Sequence, residues 1–307
     1  MSEPSTLAPP SRAQTSRALM LLVASSAAFG LMAFLAKLAT ARIDGAQVAM
    51  IRFAVSLVPI FFSPTFRRAA FTFHRIDVLF IRGVFGGVAV LLYFLAIERI
   101  PVGLATLLNY TSPVFGGLFA AAFIGERIRG RVAVPLAIAL AGVFLVVHAH
   151  AAPTEILGFG RWELAALGSA VCSGAALTAI RVARRTEGSW AIFASLSLFG
   201  LLATAPFALR EWTNPSAIDW LLMIGVGLVS IVAQILMTHA YRWVETMVAG
   251  AMSQIGVIVS MALGALFLGE AVTILTIAGT ALTIGGVTLV VRETTPPRTS
   301  AEEILES

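Results

Sequence analysis

The residues of this chain that could do chemistry are hydrogen-bonding groups set in apolar surroundings. The stretch "LLNYTSPVFGG" (107–117) places Asn109, Tyr110, Thr111 and Ser112 in a row before Pro113, near the middle of an apolar run. Amide, phenol and hydroxyl groups recognise solutes through directional hydrogen bonds. Proline lacks an N–H, so the carbonyl of Asn109 loses its helical partner and Pro113 becomes the expected hinge. In hydrocarbon such a carbonyl is tolerated only where protein or a water-filled cavity meets it. A second polar pair, Ser253 and Gln254, interrupts another apolar run. Ser230, Gln234 and Thr238 recur at i, i+4 and i+8, with Tyr241 three further on, and so share one helix face.

These polar groups have two readings. They line a path and bond a small solute, or they hold neighbouring helices together at about 0.6 kcal/mol each. The path is the expectation for Asn109, Tyr110, Ser253 and Gln254. The Ser230–Gln234 stripe faces either packed protein or the cavity. Phe29 and Tyr93, with Phe94 and Phe115, sit near mid-span, where they would wall a ring-bearing solute or simply fill space. Candidate binding residues are therefore Phe29, Tyr93, Asn109, Tyr110, Ser230, Gln234, Ser253 and Gln254.

Charged groups are scarce and sit toward span ends. Glu126 and Glu270 follow Gly125 and Gly269, where a carboxylate suits the positive N-terminus of the following helix or forms a gating ion pair. Lys37 closes the first span, either as a snorkelling terminal residue or as a contact for an anion. These three are the candidate gates. Arg52 and Arg82 lie about a turn and a half inside their spans, where they would snorkel or pair with neighbours. No Asp or Glu falls in the middle third of any span, so the usual buried carboxylate of a proton or sodium pathway is missing.

Enzymatic chemistry finds no constellation. "VCSGA" (171–175) offers Ser173 but has Val171 where a nucleophile elbow needs glycine. "HAH" (148–150) has no third metal ligand in view, and the single cysteine, Cys172, rules out an internal disulfide. No metal or cofactor is expected.

The elements that must carry these residues are membrane spans. The 307 residues are 58% hydrophobic and 12% charged, with mean hydropathy +0.92; soluble domains carry roughly twice that share of charge. Apolar runs long enough to cross ~30 Å of hydrocarbon recur throughout. Ten are read, at 17–39, 46–65, 77–98, 101–125, 131–149, 162–184, 188–209, 218–242, 245–269 and 271–291. Residues 1–16 and 293–307 read as solvated tails, the first as disordered, and 150–161 as a linker. Most of the 21 Lys and Arg fall on the N-terminal side, which places both termini in the cytoplasm. That topology accounts for the basic pI, so nucleic acid is not an expected partner. The preference for Arg over Lys suits a GC-rich genome and a bacterial inner membrane.

The chain also repeats itself. At a constant offset of 144 residues, Ser25 meets Ser169, Gly30 meets Gly174, Lys37 meets Arg181 and Gly83 meets Gly227. "FIGE" (123–126) then meets "FLGE" (267–270), and "AGVFLVV" (141–147) meets "GGVTLVV" (285–291). Each half, 17–149 and 162–292, holds five spans. Five is odd, so the second half enters the membrane inverted. The expected fold is an all-α integral membrane protein of ten transmembrane helices in two inverted five-helix repeats, with a site near the midplane where they meet.

With "IRF" (51–53), "TSPVFGGLFAAAFIGERI" (111–128), its echo "LGALFLGEAV" (263–272), and Lys37 late in span 1, the chain resembles the drug/metabolite transporter superfamily, specifically its EamA-type exporters. The resemblance covers about 17–292. It implies a ten-helix exporter of small metabolites, a group that includes exporters of amino acids, nucleosides and toxic amphiphiles. Amino acids, aromatic ones included, are the expected cargo, moved by alternating access. Export is either uncoupled or proton-coupled, and one chain suffices. A channel or an intramembrane enzyme is the alternative from another class. Val257 stands where Pro113 has its counterpart, so the proline kink need not be symmetric.

Overall fold

Every regular element among the described residues of the computed structural model is a helix. The structure describes residues 12–62, 64–70, 72–124, 133–150, 159–183, 186–240 and 252–294. In chain order the helices are α1 (Arg12–Ala39), α2 (Gly45–Phe62), α3 (Pro64–Ala70), α4 (Ile76–Arg99), α5 (Val102–Asn109) and α6 (Ser112–Ile124). The series continues with α7 (Ala133–His150), α8 (Arg161–Ala183), α9 (Ser189–Arg210), α10 (Ala217–Ala240), α11 (Ile255–Leu268) and α12 (Ile274–Thr294). Six of them, α1, α2, α4, α8, α9 and α10, contain stretches long and apolar enough to cross a membrane, and α7, α11 and α12 hold shorter apolar stretches. Large apolar side chains such as Phe62, Leu221 and Ile274 point outward, as lipid-facing surface requires.

Packing pairs the two halves rather than separating them. The α4 helix lies against α8, and its counterpart pair by the 144-residue offset, α10 against α1, packs in the same way. The α6–α8 contact is likewise matched by α11–α1, while α2–α9 and α7–α12 each join an element to its own counterpart. Contacts that come in swapped pairs define a pseudo-twofold axis. Two hydrogen bonds repeat across it: the Ser25 hydroxyl donates to the Ala233 carbonyl at 2.8 Å, and the Ser169 hydroxyl donates to the Ala89 carbonyl at 2.8 Å. All four residues obey the offset.

The fourth span is two helices, not one bent helix. The α5 helix stops at Asn109, Tyr110 and Thr111 form a turn, and α6 restarts at Ser112. Pro113 sits in the first turn of α6, where a missing N–H costs nothing. The expected hinge is therefore a helix start. The second repeat breaks at nearly the same place: residues 252–253 are helical, Gln254 turns, and α11 begins at Ile255. The amide of Val114 donates to the Thr111 carbonyl at 3.0 Å, and that of Val257 to the Gln254 carbonyl at 3.0 Å. The break is thus symmetric to within one residue, although Val257 replaces the proline. Residues 245–251 of the ninth span lie outside the described residues.

Candidate functional site

The paired breaks meet at the axis. Tyr110 and Gln254 are counterparts by the offset, and the Gln254 side-chain amide donates to the Tyr110 carbonyl at 3.4 Å. That contact meets one of the carbonyls exposed when α5 ends. Gln254 is buried, and its own Oε1 has no partner among the described residues. The Tyr110 hydroxyl lies against Gly256, in the space a side chain there would fill. Phe29 and Tyr110 are both half-buried against the central core.

Beside this pair, Tyr93 and Thr106 join their hydroxyls at 2.7 Å, and Thr106 in turn donates to the Val102 carbonyl at 2.7 Å. Next to Tyr93 is Arg52. Its Nε donates to the Ser230 hydroxyl at 2.7 Å, and that hydroxyl points at the Met32 sulfur, 2.9 Å away. The guanidinium carbon lies 5.1 Å from the Phe53 ring centroid and 5.9 Å from that of Phe94, both within cation–π range. The Ser230 side of the polar stripe therefore faces the interior. Gln234 is half-buried and partnered, as is Ser253.

Asn109 looks elsewhere. Its amide donates to the Ser169 hydroxyl at 2.6 Å, and through Ser169 it is fixed to the α4–α8 contact. Of the two readings left open for it, interhelical bonding is the contact present. Tyr93, Tyr110, Ser230 and Gln254 thus lie within the bundle interior, Phe29 packs against the same central core, and Asn109 holds α8. His239 is exposed, with a ring nitrogen 3.2 Å from the Ile235 carbonyl.

Two of the three candidate gates meet at the face opposite the N-terminus, the far face. Pro101 holds Ile100 extended, which ends α4 and leaves its last carbonyls without helical donors. Lys37 Nζ takes these up, donating to Ile97 at 2.7 Å, Ile100 at 2.9 Å and Glu98 at 3.4 Å. Glu270 caps the helix on the other side of this turn, accepting from the Val102 amide at 2.7 Å. The carboxylate was expected to serve the following helix; it serves α5 in the other repeat instead. The reason is local. Gly269 adopts left-handed φ +67° and turns Glu270 back over Gly264, where any Cβ would collide with the carboxylate. Glu126 lies outside the described residues. A cavity of about 450 Å³ opens beside this latch, between Pro101, His150, Trp162 and Glu163.

Sequence reasoning under-read Arg52 and Arg82. Neither snorkels: they are 5% and 9% exposed. Neither forms an ion pair among the described residues, and Arg52 Nη1 and Arg82 Nε have no hydrogen-bond partner there. The available signal was Gly86, one turn beyond Arg82, which leaves room for the guanidinium to run inward. Chemically the site offers hydrogen bonds, aromatic faces and two cations. No group of three or more His, Cys, Asp or Glu able to hold a metal occurs among the described residues.

The EamA-like transporter family matches residues 16–148 and 160–292, one copy in each half. The pseudopaline exporter of Pseudomonas aeruginosa is 28% identical over 266 residues, which cover 86% of this chain and 92% of that protein. Solute carrier family 35 member G1 of Mus musculus is 30% identical over 182 residues, 53% of this chain and 48% of that one. A crystal structure superposes with a TM-score of 0.62 at 20% identity, covering 95% of this chain and 99% of the other, and so shares the fold.

Proposed function

The chain belongs to the EamA-like transporter family, and from that premise we propose that it exports small metabolites, foremost amino acids including aromatic ones, by alternating access around Tyr110 and Gln254. One observation carries this reading: the two interrupted helices place counterpart residues in contact at the axis. If the repeats exchange conformations, that contact is the point about which they do so, and a solute held there meets each side in turn. The relative that exports pseudopaline supports export of a metabolite. Phe29, Tyr93, Tyr110, Ser230, Gln254 and the neighbouring Gln234 and Ser253 form the binding region, with Asn109 positioning it.

Lys37 and Glu270 act as the far-side gate, because together they tie the α4–α5 turn to α1 and α11. Glu126 takes the matching role on the near side. Each repeat holds its own five spans, 17–149 and 162–292, and one copy carries the complete site, so a monomer suffices. The basic loops put both termini in the cytoplasm of a bacterial inner membrane. Export on this reading is uncoupled: among the described residues the buried acids Glu163, Glu187 and Asp219 each accept from backbone amides beside helix ends, away from the Tyr110–Gln254 contact.

The test is flux through purified protein in liposomes, with labelled phenylalanine, tryptophan, threonine and a nucleoside, with and without a pH gradient. Saturable flux of the aromatic pair, unaffected by the gradient, is expected. Flux that needs the gradient overturns the uncoupled reading. Flux of the nucleoside alone overturns the cargo.

A further inference from the structure

Arg52 and Arg82 enter the membrane from opposite faces and converge. Arg82 is six residues into α4, and a Cα–Cβ bond tilts toward its helix's N-terminus. A snorkelling side chain would therefore run back to the near face. Instead its guanidinium lies where a Cβ of Gly86 would be. Gly86 is ten residues along α4, or about 15 Å at 1.5 Å per residue, half the thickness of the hydrocarbon. Arg52 starts seven residues from the far end of α2 and also runs inward, to Ser230, which lies thirteen residues or about 20 Å along α10. Both charges are thus delivered to the middle of the membrane, against neighbouring turns of α9: Leu196 lies beside the Arg82 guanidinium at Gly86, and Gly200, one turn on, lies against the ring of Phe53, next to Arg52.

Two buried cations at this depth, with no ion pair to an acid among the described residues, are costly in a medium that solvates ions poorly. The free Arg52 Nη1 and Arg82 Nε add unmet donors to unmet charge. Phe53, Phe94 and Tyr93 flank Arg52 with flat apolar surface. The repeat supplies a control within the molecule: the counterparts of Arg52 and Arg82 are Leu196 and Val226, so the pseudo-symmetric scaffold does not itself require cations there.

We infer that Arg52 and Arg82 bind the carboxylate of the transported solute, so that the cargo is an organic anion or amino acid whose apolar body lies against Phe53, Phe94 and Tyr93. This rests on the transporter reading and narrows its cargo. A guanidinium suits a planar two-oxygen acceptor, and one carboxylate takes up a free N–H from each arginine. It also neutralises part of the paired charge, so that the empty site resists occupation by a neutral solute. The Gln254 Oε1, unpartnered and buried beside Tyr110, remains to accept from a donor on the same molecule, such as an amino group.

The experiment reads binding first and transport second, on the full chain. Purified protein is heated with indole-3-propionate, tryptophan, tryptamine or indole phosphate esters, and the ligand-dependent shift in Tm is recorded. Indole-3-propionate and tryptophan are expected to raise Tm in a saturable way, and tryptamine is not. Arg82→Gln and Arg52→Gln are each expected to weaken that binding about tenfold or more, as loss of a charge-assisted hydrogen bond implies. Arg82→Lys is expected to restore part of it, and it keeps the inference testable if a Gln variant fails to fold. Equal shifts with tryptophan and tryptamine, or no carboxylate-dependent shift, would mean that water alone meets the free donors, and would overturn the proposal. A shift with phosphate esters alone would also overturn the carboxylate assignment. Liposome flux separates this inference from the one beneath it. If tryptophan and tryptamine are carried equally well, the transporter reading survives and the anion site fails. If carboxylates bind but no solute crosses, the site survives and the transporter reading fails.

Discussion

The two repeats are alike in scaffold and unlike in chemistry. Ser25 and Ser169 make the same hydrogen bond to carbonyls 144 residues apart, and the fourth span of each repeat breaks at the axis. Yet the first repeat carries Arg52, Arg82, Tyr93, Tyr110 and Pro113 where the second has Leu196, Val226, Met237, Gln254 and Val257. The shared features fix how helices pack and where backbone is exposed. The unshared ones, on the function proposed above, decide what can bind. On that reading, inverted duplication supplies the geometry of exchange, while recognition has only to be built once, at an axis that both repeats reach.

Erasing the difference is the most severe way to break this comparison. Converting the first repeat to the second with Arg52→Leu and Arg82→Val is expected to lower flux of a carboxylate solute about a hundredfold, while the apolar replacements leave Tm unchanged or raised. Labelled tryptophan uptake and a melting curve check both halves. Next in size is the far-side latch. Lys37→Met leaves the carbonyls of Ile97 and Ile100 without their donor, and a cost of about 1.5–3 kcal/mol is expected for hydrogen bonds to a charged group. Chemical denaturation would show it, and an unchanged midpoint would remove Lys37 from the gate.

Smaller effects sharpen the comparison. Ser25→Ala and Ser169→Ala remove matched bonds and should each cost about 0.6 kcal/mol. Ser169→Ala should cost more, because Asn109 loses its partner too. Equal losses would show that the Asn109 bond contributes nothing. The smallest effect is expected from Pro113→Val, which gives the first repeat the residue of the second. Since α11 starts without proline, flux should stay within about twofold and Tm should fall by no more than a degree or two, well under the cost of a mid-helix defect.

Composition and periodicity made the membrane spans and the repeat legible, because each is a property of many residues at once. The meeting of Tyr110 with Gln254 followed from the same offset. What the sequence hid was direction. Arg52 and Arg82 read as residues that either snorkel or pair with neighbours, since depth along a helix says nothing about which way a long side chain runs; Gly86 and Ser230 open the inward route. Glu270 was legible as a cap but not as a cap for α5, because its target follows from the left-handed turn at Gly269 and from how the repeats interlock. Pro113 stands at the break, but the second repeat breaks at the same place without proline, so the proline is not what makes it.

The central claim is that the repeats exchange about the Tyr110–Gln254 contact, carrying a bound solute from one side to the other. Counterflow tests it most directly: uptake of trace labelled tryptophan into liposomes preloaded with unlabelled tryptophan, against empty ones. An alternating carrier returns faster when loaded, so preloading is predicted to accelerate uptake and produce a transient overshoot. Identical time courses with and without preloading, and no saturation, would describe a channel and contradict the account.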